Sequence, residues 1–200
     1  MLKRGLDLTV AAAGLLLLAP LLAVVALWIR LDSPGPVFFR QERVGRAGRP
    51  FRIHKFRTMV AEATARGPGI TVGDDPRITR AGRWLRRAKI DELPQLIDVL
   101  AGHMSLVGPR PELPHYVALY PAALREQLLA VRPGITDPAS LQYADEARLL
   151  ATAGDPEREY REVLLPAKLQ LSAEYARRAT LATDLGVLAR TLGLLLRAGR

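Results

Sequence analysis

From Leu8 to Ile29 the chain runs 22 residues without a charge, LTVAAAGLLLLAPLLAVVALWI. At about 1.5 Å per residue a helix of that length reaches roughly 33 Å, enough for a bilayer core. The run is too long for a signal peptide, and no small-residue cleavage site precedes Arg30. Pro20 stands mid-run, where it removes a backbone donor and predicts a break. Lys3 and Arg4 precede the run, and Arg30, Arg40, Arg43, Arg46 and Arg49 follow it. Positive charge on both flanks gives no direction for a crossing helix. A Pro-broken re-entrant helix over residues 1–32 keeps both flanks on one side. A spanning helix kinked at Pro20 is the alternative.

Beyond residue 32 the pattern predicts a compact, mainly α domain over 33–200 with a small β-hairpin. Alternating segments at 36–43 and 50–56 flank the turn-rich GRAGR, which reads as the hairpin. On its second strand Phe51, Ile53 and Lys55 share one face. Residues 66–76, 108–114 and 131–138 are breaker-rich and predict loops. Helices are expected over about 77–87, 92–100, most of 139–153, and 157–179. The tail from Asp184 to Arg197 sets Leu185, Leu188, Leu192, Leu195 and Leu196 along one side. It is expected to be an amphipathic helix, on the core or in the headgroup layer.

Charge narrows the function classes. Of a net charge of +9, residues 30–110 carry +8, while residues 111–200 are neutral. Such a stretch suits an anionic partner: lipid headgroups, a phosphorylated substrate or nucleic acid. Aromatic content of 6% offers few stacking platforms for single strands, so nucleic acid is not expected. The absence of cysteine excludes disulfide scaffolds, zinc ribbons and thiol nucleophiles. His54, His103 and His115 lack metal-ligand spacing.

The candidate chemistry lies in AKIDELPQLIDVL, where Asp91 and Glu92 precede an apolar-periodic segment. Pro94 is tolerated only in a helix's first turn, which puts both acids at a helix N-terminus, a position that favours ionised carboxylates. Capping alone would explain a lone acid pair. These two, however, follow Arg83, Arg86, Arg87 and Lys89, with Arg110 in GPRP and Lys55 and Arg57 in HKFRTM as further cations. Two hard acids among several cations suit a Mg²⁺–diphosphate complex.

Three blocks, SPGPVFFRQERVGRAGRPFRIHKFRTM (33–59), DPRITRAGRWLRRAKIDELPQLIDVLAGHMSLVGPRPELP (75–114) and VRPGIT (131–136), resemble the bacterial sugar transferase family, in particular its small monotopic phosphoglycosyl transferases. The resemblance runs over nearly the whole chain. It implies a re-entrant anchor in the bacterial inner membrane, a catalytic domain with interfacial helices on the cytoplasmic face, and Mg²⁺ as cofactor. The implied reaction moves a phosphosugar from a UDP-sugar to polyprenyl phosphate and releases UMP. By the same resemblance Asp91 is the nucleophile of a ping-pong exchange through an acyl phosphate. Glu92 joins it in holding metal, and Lys55, Arg86, Arg110 and Asp184 contact substrate; Arg57 is expected to contact substrate with them from its charge in HKFRTM. A homodimer is left open.

Two departures stand out. The break in the anchor is often Ser-Pro in that family and is Ala19-Pro20 here. The later motif, commonly PGITG followed by an aromatic and Gln-Val, reads PGITDPASLQY, which would signal a different donor if that loop lies near the sugar. The rival readings are a non-catalytic membrane-tethered basic module and a membrane phosphohydrolase that uses water as acceptor.

Overall fold

A computed structural model describes residues 2–63, 70–73 and 75–198. Part of the expected loop at 66–76 therefore lies outside the described residues. The chain is mainly helical, with one antiparallel hairpin and a two-stranded parallel pair.

Helix α1 runs from Leu2 to Asp32 without interruption through Pro20. The expected break at Pro20 is thus absent from the helix. A proline deletes one i→i−4 bond, and the turns on either side keep the rest of the ladder. Only Asp7, Ala11, Val25 and Ile29 of α1 are buried; Leu16 and Leu17 near its middle are 80% and 81% exposed. The helix rests on the rest of the chain at both ends. Near its N-terminus Lys3 donates to the Val107 carbonyl and pairs with Asp184. Arg4 donates to the carbonyls of Val99 and Met104, and Asp7 accepts from Ser105 Oγ and the Leu106 amide. Toward its C-terminus Val25 and Ile29 pack with Phe56 and Leu85, and Asp32 accepts from the Ala81 amide at 3.1 Å.

The hairpin forms where alternation predicts it, β1 over Phe38–Val44 and β2 over Pro50–Phe56, in antiparallel register. Phe51 and Ile53 point into the core with Val99, Met104 and Leu106. Helix α2, Arg80–Arg87, starts three residues later than expected because Thr79 caps it, accepting from the Gly82 amide. A Cβ on Gly82 would stand 2.0 Å from the Thr58 carbonyl oxygen, so α2 lies flush on the chain leaving β2.

The expected helix over 92–100 is divided. A 3₁₀ turn spans Ile90–Glu92, and α3 (Gln95–Leu100) begins only after Pro94. Three-residue strands β3 (Ser105–Val107) and β4 (Gly134–Thr136) pair in parallel, a pairing the sequence reading missed. At the end of this pair Gly108 and Gly134 touch backbone to backbone; a Cβ on Gly134 would meet the Gly108 nitrogen at 2.0 Å. That contact fixes the start of the GPRP loop.

Helices α4 (Pro114–Val117), α5 (Ala122–Ala130), α6 (Pro138–Gln142), α7 (Glu146–Ala151) and α8 (Pro156–Glu159) follow. A π-turn at Tyr160–Leu164 leads into α9 (Leu165–Arg178), and α10 runs from Leu181 to Ala198. The α4–α9 half has its own core around Tyr116, Leu128, Leu150, Tyr160, Leu165 and Leu169. Val187 of α10 joins the core beneath β2 and β3, whereas Leu181, Leu185, Leu192 and Leu196 stay exposed.

Candidate active site

Period-two alternation on β2 puts Lys55 on the face of Phe51 and Ile53, so its ammonium is directed inward. It reaches Glu92 Oε1 at 2.8 Å. The acids arrive there through an unusual backbone step. Lys89, at φ 56° and ψ 20°, adopts the left-handed region, ends α2 and turns the chain into the Ile90–Glu92 turn. A non-glycine residue in that region costs on the order of 1–2 kcal/mol.

Arg110 enters from the GPRP loop and grips Glu92 with both terminal nitrogens, one to Oε2 at 3.1 Å and the other to Oε1. Burial alone would raise the Glu92 carboxyl, but Arg110 and Lys55 outweigh it and hold the group well below its usual range. Burial lowers the Lys55 ammonium, although Glu92 opposes that shift. Glu92 raises Arg110 further. The three side chains form one half-buried ionic unit.

Asp91 differs from its neighbour. It is buried, and its Oδ1 has no hydrogen-bond partner. Burial first, and the Glu92 charge second, push its carboxyl above the ordinary 3.8, against the pull of Lys55, Arg86 and Lys89. This corrects the expectation of a carboxylate kept ionised by a helix terminus. The acids sit in a turn before α3, and burial dominates. A buried carboxylate with an unpaired oxygen among cations is suited to meet an electrophile or a metal ion that brings its own charge.

Arg86 belongs to the same locus. Its guanidinium lies 3.4 Å from Thr58 Oγ1 and acts electrostatically on Asp91. Arg57 and Asp184 do not. Arg57 donates to the carbonyls of Ile29, Ser33 and Pro34, which closes the C-terminus of α1. Asp184 is buried between Lys3 and the Tyr175 hydroxyl, at the N-terminal end of α1. Asp137, in the segment departing from the usual motif, is fully buried; it caps α6 through the Ser140 amide and accepts from Ser172 Oγ.

Two supporting groups were missed from sequence. Asp98, 0% exposed on α3, accepts from the backbone N–H of His54 at 2.8 Å and stands 2.7 Å from His54 Nδ1. Arg40 Nη1 lies 2.6 Å from His54 Nε2. A guanidinium can only donate, so Nε2 accepts and Nδ1 carries the proton toward Asp98. The second group surrounds Glu112, two residues past Arg110. Tyr160 donates to it at 2.8 Å, Arg43 stands at 3.5 Å, and Lys168 at 3.8 Å while also holding Glu146 at 2.7 Å. Arg43 donates in addition to the Pro111 carbonyl, so this network fixes the loop that carries Arg110. A carboxylate inside GPRPE was the one hint available in the sequence.

No cluster of three or more metal-ligating side chains occurs among the described residues. The unpaired Asp91 Oδ1, and Glu92 Oε2 with a single hydrogen bond, still fit a hard cation completed by substrate phosphates.

The family model for bacterial sugar transferases matches residues 1–198. Among curated relatives, the "UDP-N-acetylgalactosamine-undecaprenyl-phosphate N-acetylgalactosaminephosphotransferase" of Aeromonas hydrophila is 41% identical over 155 residues, 74% of this chain and 37% of that protein. The "Exopolysaccharide production protein PSS" of Rhizobium leguminosarum bv. phaseoli is 47% identical over 150 residues, 70% of this chain and 74% of that protein. The "UDP-glucose:undecaprenyl-phosphate glucose-1-phosphate transferase" of Escherichia coli is 44% identical over 138 residues, 68% of this chain and 30% of that protein. The chain thus spans between about a third and three quarters of these relatives. With a family match that includes the long apolar helix, the hairpin lysine, the acid turn and the GPRP loop, the chain belongs to the bacterial sugar transferase family.

Proposed function

We propose that this protein transfers a phosphosugar from a UDP-sugar to a polyprenyl phosphate, releasing UMP, with Asp91 as the nucleophile. The observation that carries the reading is the contrast within the acid pair. Glu92 is locked by Lys55 and Arg110, while the adjacent Asp91 is buried with an oxygen left unpaired. One carboxylate is thereby structural and electrostatic, and the other is available for chemistry.

In this mechanism Asp91 attacks the sugar-linked phosphorus, forming an acyl phosphate as the bond to the UMP oxygen breaks. The phosphate of the polyprenyl acceptor then attacks the same phosphorus and restores the carboxylate. Arg86 and Arg110 stabilise charge on the transferring phosphoryl oxygens. A carboxylate needs no general base once ionised, and Lys55, Arg86 and Lys89 favour that form. Mg²⁺, held by Asp91 and Glu92 with the diphosphate, would neutralise phosphate charge.

Two of these relatives are named for undecaprenyl phosphate, and an acceptor of that kind requires a membrane. Helix α1 is long and apolar enough to cross one. Yet both its ends bond to the same body, and exposed Leu8, Leu16, Leu17, Leu21 and Leu27 lie between them. That supports a monotopic placement, with α1 immersed from one face and the catalytic body on the cytoplasmic side. Exposed Leu181, Leu185, Leu192 and Leu196 of α10 would lie in the headgroup layer.

The test is purified protein in lipid vesicles with undecaprenyl phosphate and a panel of UDP-sugars. Release of UMP with formation of a lipid-linked diphosphate sugar is expected for at least one donor. Free sugar phosphate as the product would mean hydrolysis, and no UMP from any donor would overturn the reading.

A further inference from the structure

We propose that the outward face of α2, edged by the Trp28–Trp84 pair, binds the headgroups of anionic phospholipids in the membrane that holds α1. The proposal rests on the membrane placement of α1 and not on the transfer reaction.

At about 100° per residue, Arg80, Arg83, Trp84 and Arg87 fall within one arc roughly 100° wide. All four are exposed, while Ala81, Gly82 and Leu85 on the opposite side are buried. Arg86 points a third way, toward Thr58 and the acid pair, so α2 serves the active site with one arginine and turns three others outward. Among the described residues none of those three makes an ion pair; Arg83 has one long 3.4 Å contact to the Ile78 carbonyl. Their charge is thus free to meet an anionic surface outside the chain.

The tryptophans indicate what that is. Trp28, 39% exposed near the end of α1, stands 5.5 Å ring to ring from Trp84, 49% exposed on α2. Its neighbours Val24, Leu27 and Leu31 are exposed apolar side chains, and Arg30 is exposed beside them. Indoles concentrate at the boundary between hydrocarbon and headgroups. The pair therefore marks that boundary, with apolar α1 surface on one side and the three arginines on the other.

The arrangement is also rigid. Leu85 is fully buried against Val25, Ile29 and Phe56, and Asp32 accepts from the Ala81 amide. Helix α2 cannot swing its charges away from the membrane plane without breaking that joint. A single basic side chain near an anionic surface favours it on the order of fivefold, so fivefold is the least enrichment that three arginines should give. Polar contact with lipid phosphates suits arginine because of its planar fork.

Trp28 and Trp84 are the chain's only two tryptophans, so their fluorescence reports this surface alone. The full chain is reconstituted in vesicles of phosphatidylcholine with a minority of phosphatidylglycerol, the acyl chains brominated on one lipid or the other at equal mole fraction. Brominated phosphatidylglycerol should quench as though enriched at least about fivefold over brominated phosphatidylcholine, an excess that shrinks at high salt. The triple variant R80Q/R83Q/R87Q should lose the excess yet keep wild-type quenching by brominated phosphatidylcholine, which also reports intact insertion. R80K/R83K/R87K should retain most of it. Equal quenching by both lipids in wild type, or an excess that survives the triple variant, would overturn the proposal. So would an excess that inorganic diphosphate abolishes at constant ionic strength, since the face would then be a substrate-phosphate surface. Quenching by neither lipid would overturn it together with the membrane placement of α1, whereas a negative UMP assay would leave it standing.

Discussion

Asp98 offers the sharpest test of how the site is held. Its carboxylate is fully buried and is the acceptor for two donors of His54, the backbone N–H and Nδ1–H. Asp98→Ala strands both. A buried unsatisfied donor costs about 1–3 kcal/mol, and the backbone N–H is held in place by β2, while the partly exposed imidazole can turn. The sum is about 3–4 kcal/mol. At roughly 2–4 °C per kcal/mol for a chain of this size, the unfolding midpoint should drop by about 10 °C. Asp98→Asn keeps the shape but brings an amide NH₂ to one donor. Reversing the His54 tautomer would then set Nε2–H against Arg40, so about 2 kcal/mol should still be lost. His54 and Lys55 are consecutive on β2, so turnover should fall as well, about tenfold or more as the ammonium drifts from Glu92. The assay is thermal unfolding of the reconstituted protein for wild type, H54A, D98A and the double variant, with turnover on the same samples. A coupling above about 1 kcal/mol is expected for directly bonded partners. Additive losses, or an unchanged midpoint for D98A, would refute the argument.

Arg110→Lys keeps the charge but loses the two-pronged grip on Glu92, so turnover should fall tens- to hundredfold, on the order of 2–3 kcal/mol; wild-type kinetics for both Arg110→Lys and Arg110→Ala would remove this residue from the site. Glu112→Gln should destabilise by about 3 kcal/mol at neutral pH, since it leaves Arg43 and Lys168 facing a neutral group. Burial alone would raise the Glu112 carboxyl, but Lys168 and Arg43 outweigh it and hold it below 4.5 in the folded chain. Its contribution is therefore fully present above 4.5 and lost as pH falls through the lower folded value; a stability gap between wild type and E112Q that does not narrow in acid would contradict this. Single cysteines placed near Lys3 and near Asp32 should both label from the cytoplasmic side, and exclusive labelling of the first from the opposite side would establish a crossing helix.

How much of this was legible in the sequence depended on the range of the interaction involved. The hairpin could be read because alternation and a turn are local, and the same alternation put Lys55 on the inner face. The N-terminal helix was read from its length, but Pro20 was over-weighted: one lost hydrogen bond does not break a 31-residue helix. Pro94 was misjudged in the other direction, since it defers α3 to Gln95 and leaves the acids in a 3₁₀ turn. Strands β3 and β4 were invisible because three residues apiece carry no period and pair across the chain. The candidate site followed the same rule. Asp91, Glu92, Lys55, Arg86 and Arg110 stand in local motifs, and the fold gathers them. Arg57 lies in the same HKFRTM motif, yet its guanidinium closes the end of α1, a contact set by packing that no spacing encodes. Asp98 and Lys168 look like ordinary polar positions on helices, and only tertiary burial reveals them.

The central claim is that Asp91 becomes covalently phosphorylated. UDP-sugar labelled in the sugar-linked phosphate, given to the reconstituted protein without lipid acceptor, should release UMP in proportion to protein. The label should stay on the chain, sensitive to hydroxylamine as an acyl phosphate is. Asp91→Asn, nearly the same shape, should fold and acquire no label at any pH. Normal labelling of that variant, or product formed by wild type only when donor and acceptor are present together, would contradict the account.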